Sequence, residues 1–176
     1  MQNTQDTFKN QKQNRFGSPL VEINRTFKAP VELVWETWSQ PELVKQWWGP
    51  ESFTCPEAKI DFKVGGKSLL AMQDSKGNIV WSTGTYQEIV PLEKIVTTDS
   101  FADKNGKIIS AKSVGLSGNW PETCYITITF ASPDAETTNI SIKHEGIPAE
   151  MHDDCVEGWN SSLNKFQILV ENNYPI

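Results

Sequence analysis

The chain is short of basic residues, of cysteine and of long apolar runs, and each shortage removes a class of function. Sixteen Lys and Arg stand against 22 Asp and Glu, a net charge of -6. With no basic cluster, nucleic-acid binding is not expected, because phosphate contacts need concentrated positive charge. The three cysteines, Cys55, Cys124 and Cys155, are odd in number and far apart. They spell neither a disulfide framework nor a CxxC metal motif, and partly buried free thiols are the expectation. No apolar run reaches the length of a membrane span. The opening residues MQNTQDTFKNQKQNRFGSP carry no secretory apolar stretch. A reducing, cytoplasmic setting is expected on these grounds. Ser-His-Asp motifs, phosphate-cradling glycine loops and dinucleotide fingerprints are also missing, so no cofactor is expected.

What the chain has in excess is tryptophan: Trp35, Trp38, Trp47, Trp48, Trp81, Trp120 and Trp159. Such rings supply core area and, where incompletely packed, line ligand pockets. At 176 residues the expected organisation is one domain, residues 19–176, behind a disordered leader, residues 1–18, rich in Gln and Asn.

Val21, Ile23 and Phe27 alternate with polar residues and predict a first strand, with Arg25 in the apolar phase. A charge there must reach solvent or meet a partner; Asp99 is one candidate. Ala29-Pro30 predicts a helix carrying Val31, Val34, Trp35 and Trp38 on one face. Ser39-Gln40-Pro41-Glu42 has the form of a capping box, predicting a second short helix that ends at Trp48-Gly49-Pro50. Strands are then predicted over 57–64, 68–72, 79–89 and 94–101. A final hairpin, 125–130 and 138–144, is expected to turn at Ser132-Pro133-Asp134. Residues 103–121 read as a long loop.

From Ala149 to about Asn172 the period becomes helical, with Met151, Cys155, Trp159, Ser162, Phe166 and Leu169 on one stripe. Consecutive strands with short turns favour an antiparallel sheet, and the long last helix is the element large enough to cover it. The expected fold is α+β: a helix-grip, a curved antiparallel sheet of about six or seven strands around a long C-terminal helix.

The segments Ile23-Asn24-Arg25-Thr26-Phe27, Ala29-Pro30, Val34-Trp35, Pro41-Glu42 and Trp47-Trp48-Gly49-Pro50 carry a resemblance. So do Gly84-Thr85-Tyr86-Gln87-Glu88-Ile89-Val90-Pro91, His144-Glu145-Gly146 and Gly158-Trp159. Together, over about residues 20 to 172, they resemble domains similar to the activator of the ninety-kilodalton heat-shock protein's ATPase. That family lies in the superfamily of START lipid-transfer domains, polyketide cyclases and the birch pollen allergen. The resemblance implies a helix-grip with a hydrophobic cavity. It leaves function open, because this fold carries many activities. The expected leader is too short to be the separate N-terminal domain on which the co-chaperone's ATPase activation depends, so direct chaperone activation is not expected.

The function expected first is binding of a small apolar or aromatic molecule, lipid-like or aromatic. The expected lining is Trp48, Phe53, Phe62, Met72, Trp81, Tyr86, Phe101, His144, Met151, Cys155, Trp159 and Phe166. A second reading is a cyclase- or hydrolase-type enzyme in the same cavity, with His144 or Tyr86 moving a proton. A third is a module contacting a chaperone. No catalytic residue and no metal are assigned: His144, Glu145, His152, Asp153 and Asp154 crowd together without a ligand spacing. Acidic residues at a helix start explain Glu150, Asp153 and Asp154.

Overall fold

The first strand made is the last one paired, and this fixes the architecture. In the computed structural model, which describes residues 14–172, β1 (Val21–Phe27) pairs antiparallel with β7 (Thr137–Glu145). Five further strands complete one sheet: β2 (Ala58–Ile60), β3 (Lys67–Gln73), β4 (Ile79–Val90), β5 (Lys94–Ala102) and β6 (Cys124–Asp134). The order is β1-β7-β6-β5-β4-β3-β2, antiparallel throughout. The chain therefore crosses from one edge of the sheet to the other between β1 and β2. Two helices make that crossing, α1 (Val31–Ser39) and α2 (Pro41–Val44).

Alternation decides which side is covered. Cys124, Ile126, Ile128 and Phe130 on β6 are buried with Ile140, Ile142 and His144 on β7 and with Val21, Ile23 and Phe27 on β1. The register sets Ile126 opposite His144, Ile128 opposite Ile142 and Phe130 opposite Ile140. The cover is α3 (His152–Asn172), entered through a 3-10 turn at Ala149–Met151. Its buried side, Trp159, Ser162, Leu163, Phe166 and Val170, faces the sheet. Phe166 is fully buried, its ring 5.0 Å from Phe27, 4.9 Å from Trp47 and 5.5 Å from Trp38. Burial of one such side chain stabilises the fold by about 1.5–3 kcal/mol. The helix-grip and its α+β class are therefore present, with seven strands.

Several local expectations are corrected. The capping box does not form: Ser39 Oγ donates to Trp35 O (2.8 Å), and α2 starts at Pro41, whose missing N–H is no loss in a first turn. The strand expected over 57–64 shrinks to Ala58–Ile60, because Gly65-Gly66 folds residues 61–66 into turns that leave Val64 exposed. The last hairpin turns at Ala135-Glu136, since β6 runs on to Asp134 through an irregularity at Ser132 and Pro133. The loop 103–121 holds a 3-10 turn at Ala111–Val114 capped by Ser110.

Arg25 does not meet Asp99. Its guanidinium donates to Asn164 Oδ1 (2.9 Å), Gln167 Oε1 (3.3 Å), and Asn160 O and Oδ1 (3.3 and 3.1 Å), all on α3. The polar residue in an apolar phase thus ties the strand to its covering helix. Of the expected leader, residues 14–18 form a turn against the sheet, with Arg15 paired to Glu145 (3.0 Å) and its guanidinium 4.0 Å from the Tyr125 ring. Residues 1–13 and 173–176 lie outside the described residues.

Candidate functional site

Between the sheet and the start of α3 lies a cavity of about 310 Å³. Its floor is the covered face of five strands: Met72 on β3, Val80 and Ser82 on β4, Asp99 and Phe101 on β5, Cys124 and Ile126 on β6, His144 on β7. The roof is the α3 stripe Cys155, Gly158, Trp159 and Ser162, whose three- and four-residue steps keep them on one face. Trp48, Gly49 and Pro50 after α2 close one side; Leu116, Trp120 and Pro121 from the long loop close the other.

The sequence builds the Trp48 side in a particular way. Gly49 has φ +92, and a Cβ there would come within 3.2 Å of Phe53 Cβ and 3.3 Å of Met72 Sδ. Only glycine turns the chain so tightly against β3. The following residues are then held to α3: Lys165 Nζ donates to Pro50 O (3.2 Å) and Phe53 O (3.1 Å), and Ser161 Oγ accepts from Glu51 N–H (2.8 Å). Burial pushes the Lys165 pKa down, partly opposed by Cys55 and Glu51.

Of the expected lining residues, Trp48, Met72, Phe101, His144, Met151, Cys155 and Trp159 are brought together here. Tyr86 lines an adjoining recess of about 50 Å³ that shares Trp48, Ser82, Asp99, Ile126 and Trp159 with the cavity. Its phenol pKa is pushed up by burial. Four residues stand elsewhere. Phe166 is in the core. Phe62 packs edge-on against Trp35 (5.7 Å) and Tyr86 (5.1 Å). Phe53 serves the turn after Gly49. Trp81 projects to the other face of β4, because alternation that brings Val80 and Ser82 inward sends Trp81 out.

Residues absent from the expected lining include Trp120, whose ring meets Phe101 edge-on at 5.5 Å, and Asp99. The aromatic excess signalled Trp120, but its place in an irregular loop carried no phase.

His144 is the polar centre. It is 6% exposed. Its Nε2 lies 3.1 Å from Asp99 Oδ2. Its Nδ1 accepts from the Trp159 indole N–H at 3.1 Å and lies 3.6 Å from Cys155 Sγ. An indole N–H can only donate, so this contact calls for the neutral ring with its lone pair on Nδ1 and its proton on Nε2; Nε2 lies within ion-pair distance of Asp99 but makes no hydrogen bond of good geometry. Burial disfavours the charged ring, but Asp99, then Cys124 and Cys155, outweigh it and raise the His144 pKa well above its ordinary value. The two observations pull in opposite directions: the Trp159 contact calls for a neutral ring, whereas the raised pKa favours the imidazolium. Cys55, outside the cavity lining, has its thiol pKa pushed up by burial.

Among the described residues, no three or more of His, Cys, Asp and Glu are grouped so as to hold a metal ion. No helix among them is long and apolar enough to cross a membrane.

Likeness to solved structures follows the same architecture. A Chromobacterium violaceum protein is 31% identical, with 86% of this chain and 96% of that chain covered and a TM-score of 0.70. The AHSA1 protein of Silicibacter pomeroyi shares the fold at 19% identity, with 88% and 99% covered and a TM-score of 0.70. A Staphylococcus epidermidis protein shares it at 22% identity, with 94% of each chain covered and a TM-score of 0.70. Among curated proteins none matches. A family model matches residues 28–171, from just after β1 through all but the last residue of α3, and the chain accordingly belongs to the family described as Activator of Hsp90 ATPase homolog 1-like protein.

Proposed function

We propose that the chain binds a small apolar or aromatic molecule in the cavity between the sheet and α3. The observation that carries this reading is the cavity's construction: about 310 Å³, walled mainly by rings and aliphatic groups, with His144 and Asp99 set 3.1 Å apart in the floor. Apolar walls supply affinity and a few placed polar groups supply orientation. Trp48, Met72, Phe101, Trp120, Met151 and Trp159 are the proposed walls, with His144 and Asp99 as the orienting groups. The volume lies at the small end for ligand pockets, so the fitting molecule is of one or two rings rather than a long-chain lipid.

The family description's chaperone ATPase supplies no residue-level feature on which a contact can be argued, and the reading rests on the cavity. Its test is titration with one- and two-ring aromatic compounds, followed by tryptophan fluorescence and thermal shift. Binding should quench emission and raise the midpoint. A compound set that alters neither, or one whose effects persist after Trp48→Ala and Met151→Trp have reshaped the walls, rejects the cavity as the site.

A further inference from the structure

We propose that Cys155 is a nucleophile that captures uncharged apolar electrophiles entering the cavity, with His144 as its base and Asp99 as the residue positioning that base. The inference rests on the binding reading, since the electrophile must first enter the cavity.

Two groups flank one imidazole. The Cys155 thiol is 3.6 Å from Nδ1 on one side and the Asp99 carboxylate 3.1 Å from Nε2 on the other. Thiol and carboxylate at opposite ring nitrogens do not converge on one point, as metal ligands must. They have instead the order of nucleophile, base and orienting acid. Asp99, 3.1 Å from Nε2, favours the tautomer whose lone pair faces sulfur. Cys155 also lies in the first turn of α3, where the positive end of the helix dipole favours charge developing on sulfur. It is half-buried and on the cavity wall, so a ligand in the cavity meets it directly.

The class of electrophile follows from the walls. Asp99, Glu122 and Asp154 line the cavity with no Lys or Arg beside them, which disfavours anionic ligands. The chemistry needing least beyond these groups is conjugate addition to an α,β-unsaturated ketone. The sulfur–carbon bond forms at the β-carbon as the carbon–carbon π bond breaks. The thiol proton passes to His144 Nδ1 and from there to the α-carbon. Nothing leaves, and no oxidant or reductant is needed.

One contact opposes the transfer. Trp159 N–H donates to the same Nδ1 lone pair at 3.1 Å, so it must yield as the proton arrives. This gives the arrangement a signature: removing the indole N–H should quicken the thiol, whereas removing the base should slow it.

The experiment exposes the full chain at pH 7 to 4-phenylbut-3-en-2-one, with adducts assigned by peptide mass mapping. Its saturated analogue, 4-phenylbutan-2-one, serves as a ligand that can enter but not add. The expected result is an adduct on Cys155 formed at least about tenfold faster than on Cys55. His144→Gln should slow it at least about tenfold, and Trp159→Phe should speed it. Asp99→Asn should slow it and displace the rise of rate with pH to lower pH, because the ring loses the carboxylate that raises its pKa, a displacement that loss of packing alone does not produce.

Equal labelling of Cys155 and Cys55 overturns the proposal. So does an unchanged rate in His144→Gln of native circular dichroism, or a slower rate in Trp159→Phe should His144→Gln fail to fold. If the saturated ketone quenches tryptophan emission while the enone leaves Cys155 free, the inference falls and the binding reading stands. If neither ketone enters, both fall.

Discussion

At the scale of single residues, His144 ties stability to pH. Its folded pKa is raised by Asp99, Cys124 and Cys155 against the effect of burial, so the ring binds its proton more tightly folded than unfolded. The resulting stabilisation is fully present below the unfolded imidazole value, about 6.5, and is lost as pH rises through the folded value. Asp99 from β5, Cys124 from β6 and Cys155 from α3 are the titratable groups facing the ring. Relative to His144→Gln, the protein should therefore be most stabilised in mildly acidic buffer, with the gap narrowing as pH climbs. Urea unfolding of both proteins across that range measures it, and a gap that widens with pH contradicts the assignment. Phe166 makes the contrasting case: fully buried among Phe27, Trp38 and Trp47, it is off the cavity. Phe166→Ala should cost about 3–5 kcal/mol in chemical denaturation while leaving the affinity for a cavity ligand, where folded, near that of the parent.

At the scale of elements, the join between β1 and α3 depends on Arg25 more than on apolar contact alone. Its fork reaches three side chains on successive turns of the helix. Arg25→Ala should lower stability by about 1–3 kcal/mol. Arg25→Lys should recover only part, because one ammonium cannot span the same acceptors. Differential scanning calorimetry of the pair decides this; full recovery by Lys would mean that charge alone matters. The elements themselves were legible where one period ran unbroken: β1, β7 and α3 follow directly from apolar spacing. The short turns were less so. Ser39 preferred the Trp35 carbonyl four residues back to capping α2, a choice between two local hydrogen bonds that pattern cannot decide.

Site residues were legible by face and illegible by neighbour. Trp81 and Tyr86 lie five apart on β4, so a regular strand cannot send both inward, and Tyr86 is the one facing the covered side. Asp99 gave no apolar signal, and its partner became visible only once β6 and β7 set the register that carries His144 across from Ile126. That Arg25 would choose amides over a carboxylate depends on where α3 crosses β1, which no local period encodes.

At the scale of the whole molecule, the leader's last residues belong to the folded body. Arg15 pairs with Glu145, and Phe16 lies against Tyr125 at 6.3 Å. A chain starting at Asn14 should therefore be more stable than one starting at Pro19, by about 1 kcal/mol as expected of part-exposed contacts. Paired thermal melts would show it, and coincident midpoints would mean that this turn merely rests on the surface.

The sheet order has a consequence in time. β1 is synthesised among the first elements, yet its partner β7 begins only at Thr137. At ribosomal rates of about 5–20 residues per second, the wait for that partner is on the order of ten seconds. Through it, Val21, Ile23 and Phe27 form an apolar strand with a free hydrogen-bonding edge, the form of segment that invites wrong pairing. The closing loop is also long, which makes this pairing slow even for a finished chain. A nascent chain arrested before Thr137 should thus be held by general chaperones or aggregate, and release from that state should coincide with the emergence of β7 and α3.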